Sequence, residues 1–319
     1  MVGGKKLKVG IIGTGNIGSD LLIKILRSEY LECGIFAGNN PKSENIKRAK
    51  KLGVNVSLES INAIVKNPKL CDVVFDATSA EIHLRHAPIL KRLGKFTIDM
   101  TPSRYGKMCI PILNLEESIN YENVNMVTCG GQATTPLVKA IMEVNPDTLY
   151  VEIVASIASK SAGIGTRNNI DEYTQTTAEA IKSFSHVPNA KSIVILNPAE
   201  PPILMHNTIF AEVVKPNIKE LRKKILVVES QIKKYIKGYR ITLGPIMENG
   251  RLTIMNEVVG SGDFLPIYAG NLDIINSAAI TVAEAYAKKI FSSEHNKKIN
   301  VEKITAFDKS FLLNPAKTL

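Results

Sequence analysis

Near its start the chain carries Gly13, Gly15 and Gly18 in the pattern G-x-G-x-x-G, directly after an apolar run at 6–12. Leu21, Leu22, Ile25 and Leu26 follow at helical spacing. This spacing between a predicted strand and a predicted helix is the context in which the motif binds a dinucleotide. The first glycine makes the tight turn, the second lets a pyrophosphate approach the backbone, and the third lets helix and strand pack closely. The free amides of the helix N-terminus then hold the phosphates. Gly13, Thr14, Gly15, Asn16, Ile17 and Gly18 are therefore candidate cofactor residues. The next strand, at 32–38, runs into Asn39 and Asn40, with Lys42 beyond, where an NAD site usually has an acid for the ribose hydroxyls. Asparagine can bond a ribose and does not repel a 2′-phosphate, so NAD is accommodated and NADP is as well. The simpler reading of Asn39-Asn40-Pro41 is a turn.

The alternation continues: helix at 43–52, strand at 71–76, helix at 82–93, strand at 96–99. Strands alternating with helices point to an α/β chain with a doubly wound parallel sheet. Thr78 and Ser79 fall at a strand's C-terminal end, where ligands bind in such sheets. His83 and His86 are three apart with no third ligand in view, so they read as surface or packing residues, and no metal site is expected.

A short strand at 124–127 stops at Cys129, Gly130 and Gly131, and a helix is expected to start near Thr134-Thr135-Pro136, since a hydroxyl before proline is a start signal. It carries Leu137, Val138, Ile141, Met142 and Val144. Cys129 is thus placed between a strand end and a helix N-terminus, a setting that favours a thiolate. The alternative is a buried structural cysteine. The other cysteines, Cys33, Cys71 and Cys109, form no C-x-x-C pair. A disulfide framework or zinc site is not expected, and a reducing compartment is.

The second half has a different pattern: a strand at 149–155, then a stretch of small, polar and glycine residues at 156–169 that includes Arg167, then a helix from Asp171. That stretch is either a nest of amides and hydroxyls around phosphate or ribose or a surface loop. Strands at 191–197 and 203–213, a helix at 216–236 and one or two strands within 241–262 follow. A long helix at 274–291 can return to the first domain, and the polar, lysine-rich tail at 294–319 is expected to be partly ordered at most.

A length of 319 residues suits two domains. No apolar run approaches the roughly 20 residues that span a bilayer, and no secretory signal stands at the start, so a soluble cytoplasmic protein with no membrane contact is expected. Lys+Arg 40 against Asp+Glu 30 leaves +10. The basic residues are spread along helices without a nucleic-acid motif. They read as a solvated surface compatible with a polyphosphate ligand, and nucleic acid is not expected as a partner.

The segments IIGTGNIGSDLLIKILRSEYLE, VFDATSA, NMVTCGGQATTP, EIVASIASKSAGIGTRNNIDEYT, NPAEPP and YAGNLDI are similar to those of one family. Over about residues 6–290 the chain resembles the acylating, CoA-dependent acetaldehyde dehydrogenases that partner a 4-hydroxy-2-oxovalerate aldolase in aromatic hydrocarbon catabolism. The resemblance implies a Rossmann-type dinucleotide-binding domain, 1–130 plus 268–319, and a second α/β (α+β) substrate and dimerisation domain, 131–267. It implies NAD as cofactor, coenzyme A as co-substrate, a short aldehyde as substrate and a homodimer. The family nucleophile matches Cys129. Its cofactor contacts match Thr14 to Ile17, then Ser161, Ala162, Gly163, Ile164, Gly165, Thr166, Arg167, Asn168 and Asn169, and finally Asn271. Three departures stand out. Asn207, preceded by His206, replaces the aspartate proposed as general base, so either His206 takes that role, or water does, or activity is reduced. The segment between Tyr239 and Leu265 is short, and Asn40 falls near an acid that often follows the second strand. Two other readings are an enzyme of this architecture that reduces a bulkier acyl-CoA, and a non-catalytic, cofactor-binding aldolase partner.

Overall fold

A computed structural model describes residues 5–312, with side chains described except at 164–165 and 294–312. The first half runs β1 Leu7–Ile12, α1 Asn16–Arg27, β2 Leu31–Ala37, α2 Glu44–Lys51, β3 Val56–Ser57, α3 Ile61–Lys66, β4 Val73–Asp76, α4 Ala80–Arg92, β5 Phe96–Asp99, β6 Lys107–Met108, α5 Pro111–Ser118 and β7 Asn123–Asn125. The second runs α6 Cys129–Val144, β8 Tyr150–Ala158, α7 Ile164–Asn168, α8 Ile170–Ser185, β9 Asn189–Asn197, β10 Met205–Glu212, α9 Ile218–Ile232, β11 Tyr239–Glu248, β12 Arg251–Val258 and α10 Gly270–Leu312.

The first sheet has the order β3-β2-β1-β4-β5-β7-β6, and every pairing is parallel. Its central strands β4 and β5, and most of β1, are buried on both faces, so they read as nearly continuous apolar runs. Val9 and Ile11 of β1 enter one core, while Ile12 enters the core on the other face. Ala278, Ala279, Val282 and Ala283 of α10 share the first core with Leu21, Leu22 and Ile25 of α1. The long C-terminal helix therefore packs back on the first sheet, and its alanines let it lie close. From β1 the chain winds outward through β2 and β3, then returns to the other side of β1 at β4. The crevice at this switch point, beyond the strands' C-terminal ends, is where such sheets bind ligands.

The second sheet has the order β11-β12-β10-β8-β9, antiparallel except for β8 beside β9. Alternation fixes its faces. Val151, Ile153 and Ile157 of β8 and Met205, Ile209 and Ala211 of β10 join α6 and α9 in one core. Glu152, Val154, Ser156, His206, Thr208 and Phe210 point the other way.

Two expectations are corrected. Helix α6 begins at Cys129, not near Pro136, because Thr128 is its N-cap and accepts a hydrogen bond from Gly131 N at 2.9 Å. Pro136 lies inside the helix and simply forfeits one backbone bond. The helix at 274–291 is also longer than its apolar pattern, since α10 continues to Leu312.

Candidate active site

Between β7 and α6 the chain turns sharply at Val127, whose φ is +61°. A β-branched residue in this left-handed region is strained by roughly 1–3 kcal/mol. A buried network holds it there. Asn125 Oδ1 accepts from Val127 N at 2.9 Å, while Asn125 Nδ2 donates to Asp99 Oδ2 at 2.7 Å and to Thr101 O at 2.9 Å. The turn delivers Cys129 as the first residue of α6.

Cys129 is 8% exposed and opens onto a cleft at the switch point of the first sheet. Ile17 of the glycine loop lines the cleft, with Thr78 and Ser79 after β4 and Met100, Thr101 and Pro102 after β5. Thr166, Asn169 and Tyr173 line it from α7 and α8, and Asn271, Leu272 and Ile275 from the start of α10. Tyr173 Oη lies 3.4 Å from Cys129 Sγ and accepts from Gly130 N at 3.0 Å. Burial pushes the Cys129 thiol above its ordinary value, against the lowering effect of Tyr173 and of the Gly130 and Cys129 amides. The expectation of a favoured thiolate is thus corrected: the electropositive helix end is present, but desolvation outweighs it. The other three cysteines have no such setting. Burial pushes Cys33 and Cys109 up to about 12 and Cys71 up to about 11, and none of the three lines the cleft.

The glycine loop fits a dinucleotide. Gly13 has φ +108°, and a Cβ there would strike the Ala77 carbonyl. A Cβ on Gly18 would strike the Gly13 carbonyl, whereas Gly15 faces open space. The first-turn amides of α1 have no intrahelical acceptor, and no acid sits among them to repel a phosphate. Thr14 is held by Asn45 Nδ2, which donates to its carbonyl at 2.8 Å. Two buried oxygens at the cleft, Asn271 Oδ1 and Thr101 Oγ1, have no hydrogen-bond partner among the described residues. Buried polar atoms are rarely left so, and a bound polar group is a natural partner. After β2, Asn40 Oδ1 accepts from Lys42 N at 3.0 Å, closing a turn, and Glu44 is paired with Lys47.

The segment 161–169 divides. Thr166 and Asn169 reach the cleft. Arg167 folds back on its own loop, donating to Ala162 O and to the carbonyl and hydroxyl of Ser159. Ser161 donates to Ala158 O, and Ala162 is buried in the second core. Gly163 caps α7, which holds Ile164, Gly165 and Asn168, and the side chains at 164–165 lie outside those described.

His206 and Asn207 are not brought to Cys129. They alternate on β10, so His206 points to the sheet face opposite α6, where Nε2 lies 3.4 Å from Glu257. Asn207 is on the α6 side, 1% exposed, and donates to Asn256 Oδ1 at 2.8 Å. Neither lines the cleft. His83 and His86 are not surface residues. Both are buried, and the Nδ1 of each lies 2.9 Å from Asp76 Oδ2. No cluster of metal ligands occurs among the described residues.

Residues 129–266 match a family model described as prokaryotic acetaldehyde dehydrogenase, dimerisation, and residues 8–119 match the semialdehyde dehydrogenase NAD binding domain. A Pectobacterium atrosepticum acetaldehyde dehydrogenase is 51% identical, over 88% of this chain and 95% of that one. The chain belongs to the acetaldehyde dehydrogenase family. A second family member, from Spirochaeta aurantia, is 52% identical over 89% of this chain and 96% of its own. The fold is shared more widely. The crystal structure of Vibrio cholerae aspartate semialdehyde dehydrogenase II superposes with a TM-score of 0.57 at 12% identity, covering 91% of this chain and 99% of that chain. Among the described residues, no helix is long and apolar enough to cross a membrane.

Sequence patterns did not reveal Tyr173, Met100 to Pro102 or Leu272 as cleft residues. Tyr173 carried a usable signal, its place one helical turn beyond Asn169. Met100 to Pro102 follow a strand end, as Thr78 and Ser79 do.

Proposed function

We propose that this chain converts a short aldehyde, coenzyme A and NAD to acyl-CoA and NADH through a thioester on Cys129. The observation that carries this reading is that Cys129, at the start of α6, shares one cleft with the glycine loop at Ile17 and with Asn271, whose Oδ1 has no partner among the described residues. NAD, held by residues 13–18, Asn271 and, from the 161–169 segment, Thr166 and Asn169, would supply the hydride acceptor. The chain's own residues do the rest. Cys129 attacks the aldehyde carbon, and cysteine suits both steps because it is nucleophilic and departs readily from a thioester to the CoA thiol. The positive end of the α6 dipole, at whose first residue Cys129 stands, favours the negative charge that develops on the aldehyde oxygen. The walls formed by Met100, Pro102, Leu272 and Ile275 exclude water from the thioester. His206 and Asn207 serve no proton at the sulfur from where they stand. The turn at Asn40 offers no carboxylate against a 2′-phosphate, so NADP is accepted as well as NAD.

In this reading residues 1–130 with 268–319 form the dinucleotide-binding domain, and 131–267 the substrate and dimerisation domain. The enzyme works in the cytoplasm as a homodimer, with an aldolase of 4-hydroxy-2-oxovalerate as partner. The test is CoA-dependent NADH formation from acetaldehyde and its longer homologues, with NAD and NADP in parallel. Activity is expected with both cofactors and is abolished in Cys129→Ala. A Cys129→Ala protein that made NADH at the wild-type rate would sink the proposal.

A further inference from the structure

We infer that Tyr173 is a catalytic residue, whose hydroxyl donates a hydrogen bond to the Cys129 sulfur and then to the oxyanion formed when that sulfur adds to the aldehyde. The inference rests on the reaction proposed above and deepens it.

The geometry assigns the donor. Gly130 N–H donates to Tyr173 Oη at 3.0 Å and takes an acceptor position there. The phenol keeps its own hydrogen, and Cys129 Sγ lies 3.4 Å away. A thiolate cannot donate, so once the sulfur is ionised the hydrogen in this pair belongs to tyrosine. Burial holds the Tyr173 phenol well above its ordinary value, so it remains a donor throughout the neutral range. The amide on its oxygen polarises the O–H further, and a chain of bonds from the α6 N-terminus reaches the sulfur through tyrosine.

No rival group occupies this place. The influences on Cys129 and Tyr173 are burial, each other, Thr128 and backbone amides, and no carboxylate, imidazole or ammonium of the described residues is among them. The tyrosine is also fixed. Thr177 Oγ1 donates to the Tyr173 carbonyl at 2.7 Å and lies 2.7 Å from Thr128 Oγ1, the N-cap of α6. Gly130 makes room for it, since a Cβ at that position would collide with Tyr173 Oη. A glycine at the second residue of a helix is otherwise unfavourable.

In the step itself, a sulfur lone pair forms the S–C bond and the carbonyl π pair moves onto oxygen. That oxygen is attached to the carbon bonded to Sγ, two bonds from the atom Tyr173 already touches. The O–H turns from sulfur, whose charge is spent, to oxygen, whose charge has appeared, and no proton needs to cross.

Two readouts in Tyr173→Phe test this. The first is the pH profile of iodoacetamide alkylation at Cys129, followed on its own peptide by mass spectrometry without aldehyde, CoA or NAD. The midpoint is expected to move to higher pH. The second is kcat for CoA-dependent NADH formation, expected to fall by about 10²-fold, as for loss of one oxyanion donor, with KM little changed. Gly130→Ala, which displaces the hydroxyl while keeping the phenol, is expected to move the midpoint the same way. Tyr239→Phe is the control. Its buried hydroxyl donates to Ala133 O on the same helix at 2.8 Å, so its loss affects stability but not the midpoint. A wild-type midpoint and kcat in Tyr173→Phe overturn the inference while leaving the proposed reaction intact. Absence of CoA-dependent NADH from the wild-type enzyme overturns the reaction, and with it the oxyanion role. The alkylation midpoint would still report the bond to sulfur.

Discussion

Thr128 does two jobs with one oxygen. It caps α6 by accepting from Gly131 N, and it meets Thr177 on α8, which in turn steadies Tyr173. Thr128→Ala should therefore lower stability by about 1–2 kcal/mol, the usual worth of such a cap. It should also lower kcat, because the first turn carries Cys129. Urea denaturation and steady-state kinetics check both, and Thr128→Ser should recover most of each. Asn271 offers the opposite case. Its Oδ1 has no partner among the described residues, so Asn271→Ala removes no described bond from that atom. Stability should stay near wild type, while the Kd for NAD, measured by calorimetry, should rise about tenfold, the worth of one hydrogen bond of roughly 1–1.5 kcal/mol. A large loss of stability with unchanged Kd would mean that Asn271 is a packing residue.

Strands β4 and β5 and helix α4 build a buried charge cluster behind the cleft. Burial pushes Asp76 up, but hydrogen bonds from His83 and His86 outweigh it and hold the carboxyl down at about 2. Burial likewise raises Asp99, to about 6, against His83, Ser103 and the Thr101 amide. On His83 burial acts downward, and the bond to Asp76 with the charge of Asp99 overcomes it, so the imidazole is raised. Both raised groups hold protons in the folded chain that the unfolded chain releases. The Asp99 contribution is present below about pH 4 and fades toward about 6, and the His83 contribution is present below about pH 6.5 and fades as the pH rises through its raised value. Stability to urea should therefore fall as the pH rises from about 4 to about 6, and fall further above about 6.5. The double variant His83→Gln, Asp99→Asn should flatten that fall, and an equal fall in both proteins would refute the assignment. Asp99 also holds Asn125, and through it the Val127 turn, so the cluster supports the nucleophile's position. Little of this was legible in the sequence. The parallel sheet was, because its buried strands are short apolar runs separated by helical periodicity. The glycine loop was, because its residues are adjacent in the chain. The start of α6 was not, since Pro136 imitates a helix start while the true cap, Thr128, lies eight residues earlier in the apolar run's shadow. The partners of His83 and Cys129 were not, because tertiary folding alone brings Asp99 and Tyr173 to them.

The second sheet bears on the architecture of the whole molecule, because among the described residues helices cover only one of its faces. On the other face Ile193, Val154, Thr208 and Met255 stand side by side across β9, β8, β10 and β12. Phe210 lies beside them under the Arg251 guanidinium, 4.3 Å from its ring centroid, and Ile195 is 44% exposed. A mostly apolar row across four strands, interrupted only by Thr208 and bordered by Lys191, Glu152, Glu257 and Arg240, has the composition of a subunit interface. The residues match a family segment described by dimerisation, and this face is where a second copy would dock. A stable interface needs at least about 1,000 Å² in total, which a five-stranded face can supply. Val154→Glu places a charge at the centre of the row, opposite its own counterpart or near it across a two-fold axis. Sedimentation equilibrium should then give the mass of one chain where the wild type gives two. The Cys129 cleft lies on the α6 side of the sheet, so NAD binding to the variant should be close to that of the wild type. If the variant remains a dimer with unchanged affinity, the outward face is not the interface, and the edge strands β9 and β11 or the helical side must carry it instead.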